Sequence, residues 1–456
     1  MHFKKIYPIF FILIIAQIYI VHNPTFVYAG HVHTMTLEEA MEVAINQNPL
    51  IEKAQEALAK ARLDISFARS VIRPAIGMEI GRSYNHNYSA YGLTDLLIGQ
   101  SPDQYVASEI TTNELSIYLA QPLYTQGKYG LQKEIVEIGT MIAHYNLDLM
   151  KQDVVLEVIK AYLEILKAQE IINIREQARD RLLEYLQSTK VKYEVGLVAQ
   201  NIVIGAEMEL SGAESDLIEA EANYKIRKEN LKRTLQFSME DDIEVKRLNI
   251  GENISFISET EKSKEQLIDY ALQHRLDYLS LLQRIALSEK NVKLAYSDFL
   301  PTVNLEAAYI KEGEEFLPKE ELYSIGATIS LPFFEKGLRL YRVREKKNEA
   351  RQLESERKSL EQMIRFEVVN AFFSLNSLLS RVKATEKQVE FATENMRITK
   401  LQFNEGAASN LDVLDAHLKL VEAATSRTTR EYDLIIAQYT LKKAIGDLKV
   451  DPPHFP

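Results

Sequence analysis

The chain repeats itself, and the repeat limits what it can fold into. Shifted by 227 positions, residues 36–80 fall on 263–307 without a gap: Ala44 meets Ala271, Ala68 meets Ala295 and Pro74 meets Pro301. Shifted by 210, residues 115–236 fall on 325–446: Pro122 meets Pro332, Gly127 meets Gly337, Glu157-Val158 meets Glu367-Val368, Ala161 meets Ala371 and Gly196 meets Gly406. The 17-residue difference between the offsets lies between the matched blocks, so segment 81–114 is a longer version of 308–324. One structural unit is used twice, with one connection enlarged.

Each unit reads helix, strand, loop, strand, long helix, shorter helix. Thr36-Leu-Glu-Glu39 and Ser263-Lys-Glu-Gln266 are paired capping boxes that start helices. Residues 264–300, 338–404 and 407–445 contain neither Gly nor Pro, and the whole chain has only 17 Gly and 12 Pro. Along 338–404, small or apolar residues recur at 3,4 spacing: Val368, Ala371, Leu375, Leu378, Val382, Thr385, Val389, Ala392, Met396, Thr399, Phe403. That is a coiled-coil seam. The matching helix 128–193 carries Leu147, Met150, Val154, Val158, Ala161, Ile165, Ala168 and Ile172. A helix of this length is roughly 100 Å long, which no compact globule of this size needs. The helices 264–300 and 407–445 are short enough for two of them to run alongside one long helix.

The strands are brief and two-faced. Ile76, Met78 and Ile80 alternate with Gly77, Glu79 and Gly81, and Leu115, Ile117 and Leu119 alternate with Glu114, Ser116 and Tyr118. Val303, Leu305, Ala307 and Tyr309 alternate with Asn304, Glu306 and Ala308; Ile325, Ala327, Ile329 and Leu331 alternate with Gly326, Thr328 and Ser330. Such hairpins, 75–121 and 302–331, fit either a soluble core or a barrel with lipid outside and water inside. Tyr84, Tyr88, Tyr124, Tyr309, Tyr323, Phe333 and Phe334 near the strand ends fit an interfacial girdle. Residues 1–29 favour the membrane reading. Lys4 and Lys5, an apolar run from Ile6 to Val21 and Val27-Tyr28-Ala29 make a secretory signal peptide. Four strands cannot close a barrel, and an open edge in lipid is costly. The chain must share its strands with other copies, in an assembly of two chains (eight strands) or three (twelve).

Other classes are weakly supported. A formal net charge of −11 makes nucleic acid an unlikely partner class, and zero Cys excludes disulfides, thiolate metal sites and a cysteine nucleophile. There is no nucleophile elbow, phosphate-binding Gly loop or His-Glu-x-x-His helix, so no catalytic, metal or cofactor site is expected. His31 and His33 read as a solvated tail. Two rivals to a membrane channel are a periplasmic coiled-coil adaptor and a secreted coiled-coil structural protein. The full-chain duplication and the proline-bounded strands speak against both.

Element order, duplication and helix-tip motifs together resemble the TolC family of bacterial outer-membrane efflux and secretion channels. The motifs are Tyr193-Glu-Val-Gly-Leu-Val-Ala199 in the first repeat, and Phe403-Asn-Glu-Gly406 with Leu411-Asp-Val-Leu-Asp-Ala416 in the second. The resemblance covers about 36–446. It implies a mainly α protein whose long coiled-coil helices form an α-barrel, with four amphipathic strands contributing to a trimeric twelve-strand membrane β-barrel. It divides the chain into a first repeat, 30–236 (long helix 128–193, helix 198–236), an equatorial linker, 237–262, a second repeat, 263–446, and a tail, 447–456. It implies a passive homotrimeric channel in the outer membrane, serving efflux or type I secretion. Its partners would be outer-membrane lipid, a periplasmic adaptor and an inner-membrane pump. Tyr193, Gly196, Leu197, Val198, Ala199, Phe403 and Gly406 would be adaptor-contacting tips, and segment 81–114 the longer extracellular loop. Asp412 and Asp415, three apart on one helix face, would line the lumen constriction, six carboxylates in a trimer. Asp412 also suits a helix N-terminus with Ser409 as cap. The first repeat departs from the family pattern with Ile202 where relatives often carry Asp, and Ala408 stands where a basic residue can latch the closed end.

Overall fold

The computed structural model describes residues 33–70, 72–89, 106–238, 240, 242–247, 263–316 and 318–449. The expected signal peptide, His31 and most of the linker and tail lie outside the described residues. The elements run β1 (His33–Met35), α1 (Leu37–Gln47), α2 (Pro49–Ser70), β2 (Ala75–Ser89), β3 (Val106–Tyr124), α3 (Lys128–Glu194), α4 (Gln200–Leu235), β4 (Ile243–Val245), α5 (Lys264–His274), α6 (Leu276–Ser297), β5 (Thr302–Gly313), β6 (Glu320–Ser330), α7 (Leu338–Asn404) and α8 (Asn410–Ala444).

Both long helices are 67 residues, and each begins after a left-handed glycine, Gly127 or Gly337. The shorter helices lie along them. Toward the sheet the side-by-side order is α2-α3-α6-α7, and toward the far end it is α4-α3-α8-α7. The core is concentrated on α3, where Val154, Val155, Val158, Ile159, Tyr162, Leu163, Ile165 and Leu166 are buried. Halfway along α3, the Tyr162 hydroxyl lies 2.7 Å from the Lys246 carbonyl and 3.0 Å from that of Met35. It thereby ties the parallel β1–β4 ribbon to the shaft, and burial pushes its ionisation up.

Both capping boxes form, Thr36 with Glu39 and Ser263 with Gln266. The helix expected over 264–300, however, is two helices broken at Arg275, whose backbone is extended (φ −66°, ψ 123°). In the first repeat the same break falls at Asn48, before Pro49, where proline drives the preceding residue out of helical geometry. The second repeat has no proline there. The Arg275 guanidinium instead binds Asp277 at 2.7 Å, Glu367 and the Ala444 carbonyl, so a tertiary ion cluster holds the corner.

The two hairpins form one antiparallel sheet in the order β2-β3-β5-β6. Register puts the apolar residues opposite one another in rows: Met78–Ile117–Tyr309–Tyr323 and Ile76–Leu119–Ala307–Ile325, with Leu305–Ala327 and Val303–Ile329 below. One face of the sheet is therefore a continuous apolar band. The other carries Gly77, Glu79, Ser116, Tyr118, Asn304, Ser324 and Thr328. The described parts of segment 81–114, expected as a loop, are strand: β2 and β3 stay paired out to Ser89–Val106, and 90–105 lies outside the described residues. Backbone pairing continues past the apolar band because polar residues with strand propensity, such as Tyr84 and Thr111, still satisfy the ladder.

Candidate functional site: the helix tips

The end of the shaft opposite the sheet consists of two helix hairpins built alike. At α3–α4, Gly196 has φ +76°, its N–H donates to the Tyr193 carbonyl (2.9 Å), and the Leu197 N–H donates to that of Lys192 (2.8 Å). At α7–α8, Gly406 also has φ +76°, with Gly406 N–H to Phe403 (3.2 Å) and Ala407 N–H to Gln402 (2.7 Å). These are matched Schellman turns, and left-handed φ requires the glycines. No neighbour would obstruct a side chain at either one. Tyr193 and Leu197 are exposed, Val198 is half-buried and Ala199 exposed.

The two turns diverge immediately afterwards. α8 starts with a full capping box: the Asp412 carboxylate accepts from the Ser409 N–H (2.8 Å) and hydroxyl (2.6 Å), and the Asp412 N–H donates to Ser409 Oγ (3.3 Å). These bonds hold the Asp412 carboxyl below the usual range. Asp415 pairs with Lys419 at 2.6 Å. Both carboxylates are exposed, and Asp412 caps α8 through its bonds with Ser409. The equivalent positions at α4 are Ala199 and Ile202, and no side chain caps that helix.

The tips also touch each other through residues that the sequence motifs do not flag as a pair. Lys192 Nζ lies 4.0 Å from the centroid of the Phe403 ring, and Tyr185 meets the same ring at 5.7 Å with a 50° tilt. Phe403 of the second repeat is thus gripped by two side chains of the first. Glu184 on α3 and Lys400 on α7 add an ion pair at 3.6 Å. Deeper in, His417 of α8 is buried with Nδ1 unpartnered among the described residues. Burial, helped by Arg181, pushes its pKa down to about 4. Lys192, Tyr185 and His417 were not among the expected site residues. The only advance signal was Ala408 and Ile202 removing the polar alternative.

The model of the outer membrane efflux protein family matches residues 40–235 and 267–447, one block per repeat. The chain belongs to this family. Outer membrane protein TolC of Vibrio cholerae is 24% identical over 401 residues, covering 84% of both chains. Alkaline protease secretion protein AprF of Pseudomonas aeruginosa is 21% identical over 422 residues, covering 90% of this chain and 84% of its own. The crystal structure of the Campylobacter jejuni CmeC outer membrane channel superposes with a TM-score of 0.76 at 17% identity, covering 90% of this chain and 86% of that one. The chain is therefore a TolC-like outer-membrane channel of the efflux and secretion class, with its helical shaft on the periplasmic side. The adaptor and structural-protein alternatives fall with that membership. No described helix is long and apolar enough to cross a membrane. The amphipathic sheet is the element that suits one.

Proposed function

We propose that three copies of this chain close their four-stranded sheets into a twelve-strand barrel and their helices into a hollow shaft, forming a passive conduit from periplasm to exterior. The observation that carries this is the sheet itself. Among the described residues β2 and β6 are paired on one side only, and their apolar residues Ile76, Met78, Ile80, Ile325 and Ile329 are all exposed in the single chain. In lipid such edges leave backbone groups unsatisfied at several kcal/mol each, and only sister strands remove that cost. Channels of this class work as trimers with an adaptor and an inner-membrane pump. In this reading the adaptor engages the tips around Tyr193, Gly196, Leu197, Val198, Ala199, Phe403 and Gly406, and docking parts the two hairpins. The grip of Lys192 and Tyr185 on Phe403 holds them together until then. Asp412 and Asp415 face the narrow end as a ring of carboxylates that favours cations.

The test is planar-bilayer recording of the purified protein. The wild type forms cation-preferring pores, and Asp412→Ala with Asp415→Ala raises anion conductance and weakens block by multivalent cations. Unchanged selectivity removes the carboxylate ring from the account. Failure to form pores at all removes the conduit.

A further inference from the structure

The two repeats differ in charge where the strands hand over to the long helices. Residues 126–137 in the first repeat carry Lys128 and Lys133 against Glu134 and Glu137, a net charge of 2 − 2 = 0. The equivalent residues 336–347 carry Lys336, Arg339, Arg342, Arg344, Lys346 and Lys347 against Glu345, a net of 6 − 1 = +5 in a chain of net charge −11. The fold does not need this charge, since the first repeat makes the same turn without it. It also runs against local preference: a helix N-terminus disfavours cations, and α7 has no acid in its first turn. Gln126 and Lys336 share the same left-handed backbone, φ 61° and φ 50°. Gln126 turns inward and donates to the Leu300 carbonyl, whereas Lys336 is exposed.

Some of the six cations have work inside the chain. Arg339 binds Glu335 at 3.0 Å, Arg342 meets Asp298 at 3.7 Å, and Lys346 binds Glu349 at 2.8 Å. Lys336, Arg344 and Lys347 are exposed and among the described residues pair with no carboxylate; Lys347 Nζ lies 5.2 Å from the centroid of the exposed Tyr296 ring. Immediately above them lie Phe333 and Phe334, 97% and 82% exposed. In sequence Phe333 keeps the spacing of Ile329 and Leu331, three residues past the end of β6 at Ser330. At the other end the band stops at Tyr309–Tyr323 (centroids 4.9 Å apart) and the Lys311–Glu321 ion pair (2.8 Å). Val303 to Lys311 is about 27 Å of strand, the height of a membrane barrel's apolar belt. Phe333-Phe334 therefore stands at the periplasmic rim of that belt. Lys347 is about 14 Å along α7 from its first residue, Leu338, and helical side chains lean toward the N-terminus, here toward the bilayer.

We infer that the segment from Phe333 to Lys347 is a lipid-seating collar: the two phenylalanines enter the interface of the periplasmic leaflet, and Lys336, Arg344 and Lys347 bind the phosphates of anionic phospholipid headgroups there. The inference rests on the membrane reading of the sheet. Clustered basic residues beside a membrane segment act in this way, with roughly five-fold in binding for each cation near an anionic surface, less where salt screens it.

The test is native mass spectrometry of the full-length oligomer released from vesicles of equal parts phosphatidylglycerol and phosphatidylcholine, preceded by flotation of those vesicles. The wild type should float and retain phosphatidylglycerol over phosphatidylcholine by at least about tenfold. Lys336→Gln, Arg344→Gln and Lys347→Gln combined should float equally and bring the ratio close to one. Lys336→Arg, Arg344→Lys and Lys347→Arg combined should keep the preference, as should Lys128→Gln with Lys133→Gln from the neutral repeat. Equal retention of both lipids by the floating wild type, or an undiminished preference in the triple glutamine variant, overturns the collar alone. Protein that floats with no vesicle overturns the membrane reading and the collar with it.

Discussion

Phe403→Ala removes the centre of the contact between the two tips, and the structure sets the size of the effect. The Lys192 ammonium over the ring contributes about 0.5–1 kcal/mol at an exposed site. The tilted Tyr185 contact contributes about 0.5–1.5 kcal/mol. Half-burial of the ring adds about 1 kcal/mol. The sum, about 2–3.5 kcal/mol per protomer, shifts the balance between clasped and parted tips by roughly 30- to 300-fold. Any movement of the α7–α8 hairpin away from α3 must break this contact, so the change reads directly as opening. In single-channel recordings Phe403→Ala should show larger conductance and longer open intervals without adaptor. Lys192→Gln keeps the aromatic pair and should open the channel only about two- to five-fold more often. A Phe403→Ala channel with wild-type conductance and open time refutes the clasp. So does a Lys192→Gln effect exceeding that of Phe403→Ala.

Three further outcomes follow from the geometry. Leu119→Arg puts a charge in the middle of the apolar band, opposite Ile76 and Ala307, and should cost about 2–4 kcal/mol at the bilayer midplane. Heat-modifiable oligomer on gels should disappear, whereas Thr328→Lys on the polar face should leave it intact. His417, held neutral by burial and by Arg181 with a pKa of about 4, should make the closed tip acid-sensitive. Above about pH 6.5 the group is neutral in both states and contributes nothing. As pH falls from there toward 4, only the parted or unfolded form takes up the proton, so stability declines through that window. Hydrogen exchange at the tip should accelerate between pH 7 and 4.5, and His417→Gln should abolish that acceleration. Loss of Ser409 by Ser409→Ala removes the α8 cap and should destabilise that hairpin by about 1 kcal/mol, read as faster exchange near Asn410 and unchanged exchange near Gln200.

Much of the architecture was legible because local chemistry and repeat agree. Capping boxes at Thr36 and Ser263, the absence of helix breakers over 338–404, and alternation at Ile76–Ile80 each carry a local rule, and the duplication states each rule twice. The break at Arg275 was not legible, because a cluster of two carboxylates and one backbone carbonyl around its guanidinium replaces the proline that marks its counterpart at Asn48-Pro49. The extended pairing of β2 and β3 was missed because alternation fades once a strand leaves lipid, while the backbone ladder does not need it. At the tips, glycines and aspartates are local motifs and can be read directly. The grip on Phe403 joins residues more than two hundred positions apart through a ring face, which leaves no spacing pattern to find.

The central claim is that neighbouring copies complete the sheet, and the absence of any native cysteine makes it directly measurable. Within one chain β2 and β6 are three strand spacings apart, about 14 Å, too far for a disulfide. A scan of single cysteines along 76–82 of β2, each combined with Ile325→Cys on β6, should give oxidised dimers and trimers in membranes at one register and its near neighbours. A chain that stays monomeric at every register while inserted in the membrane contradicts the account.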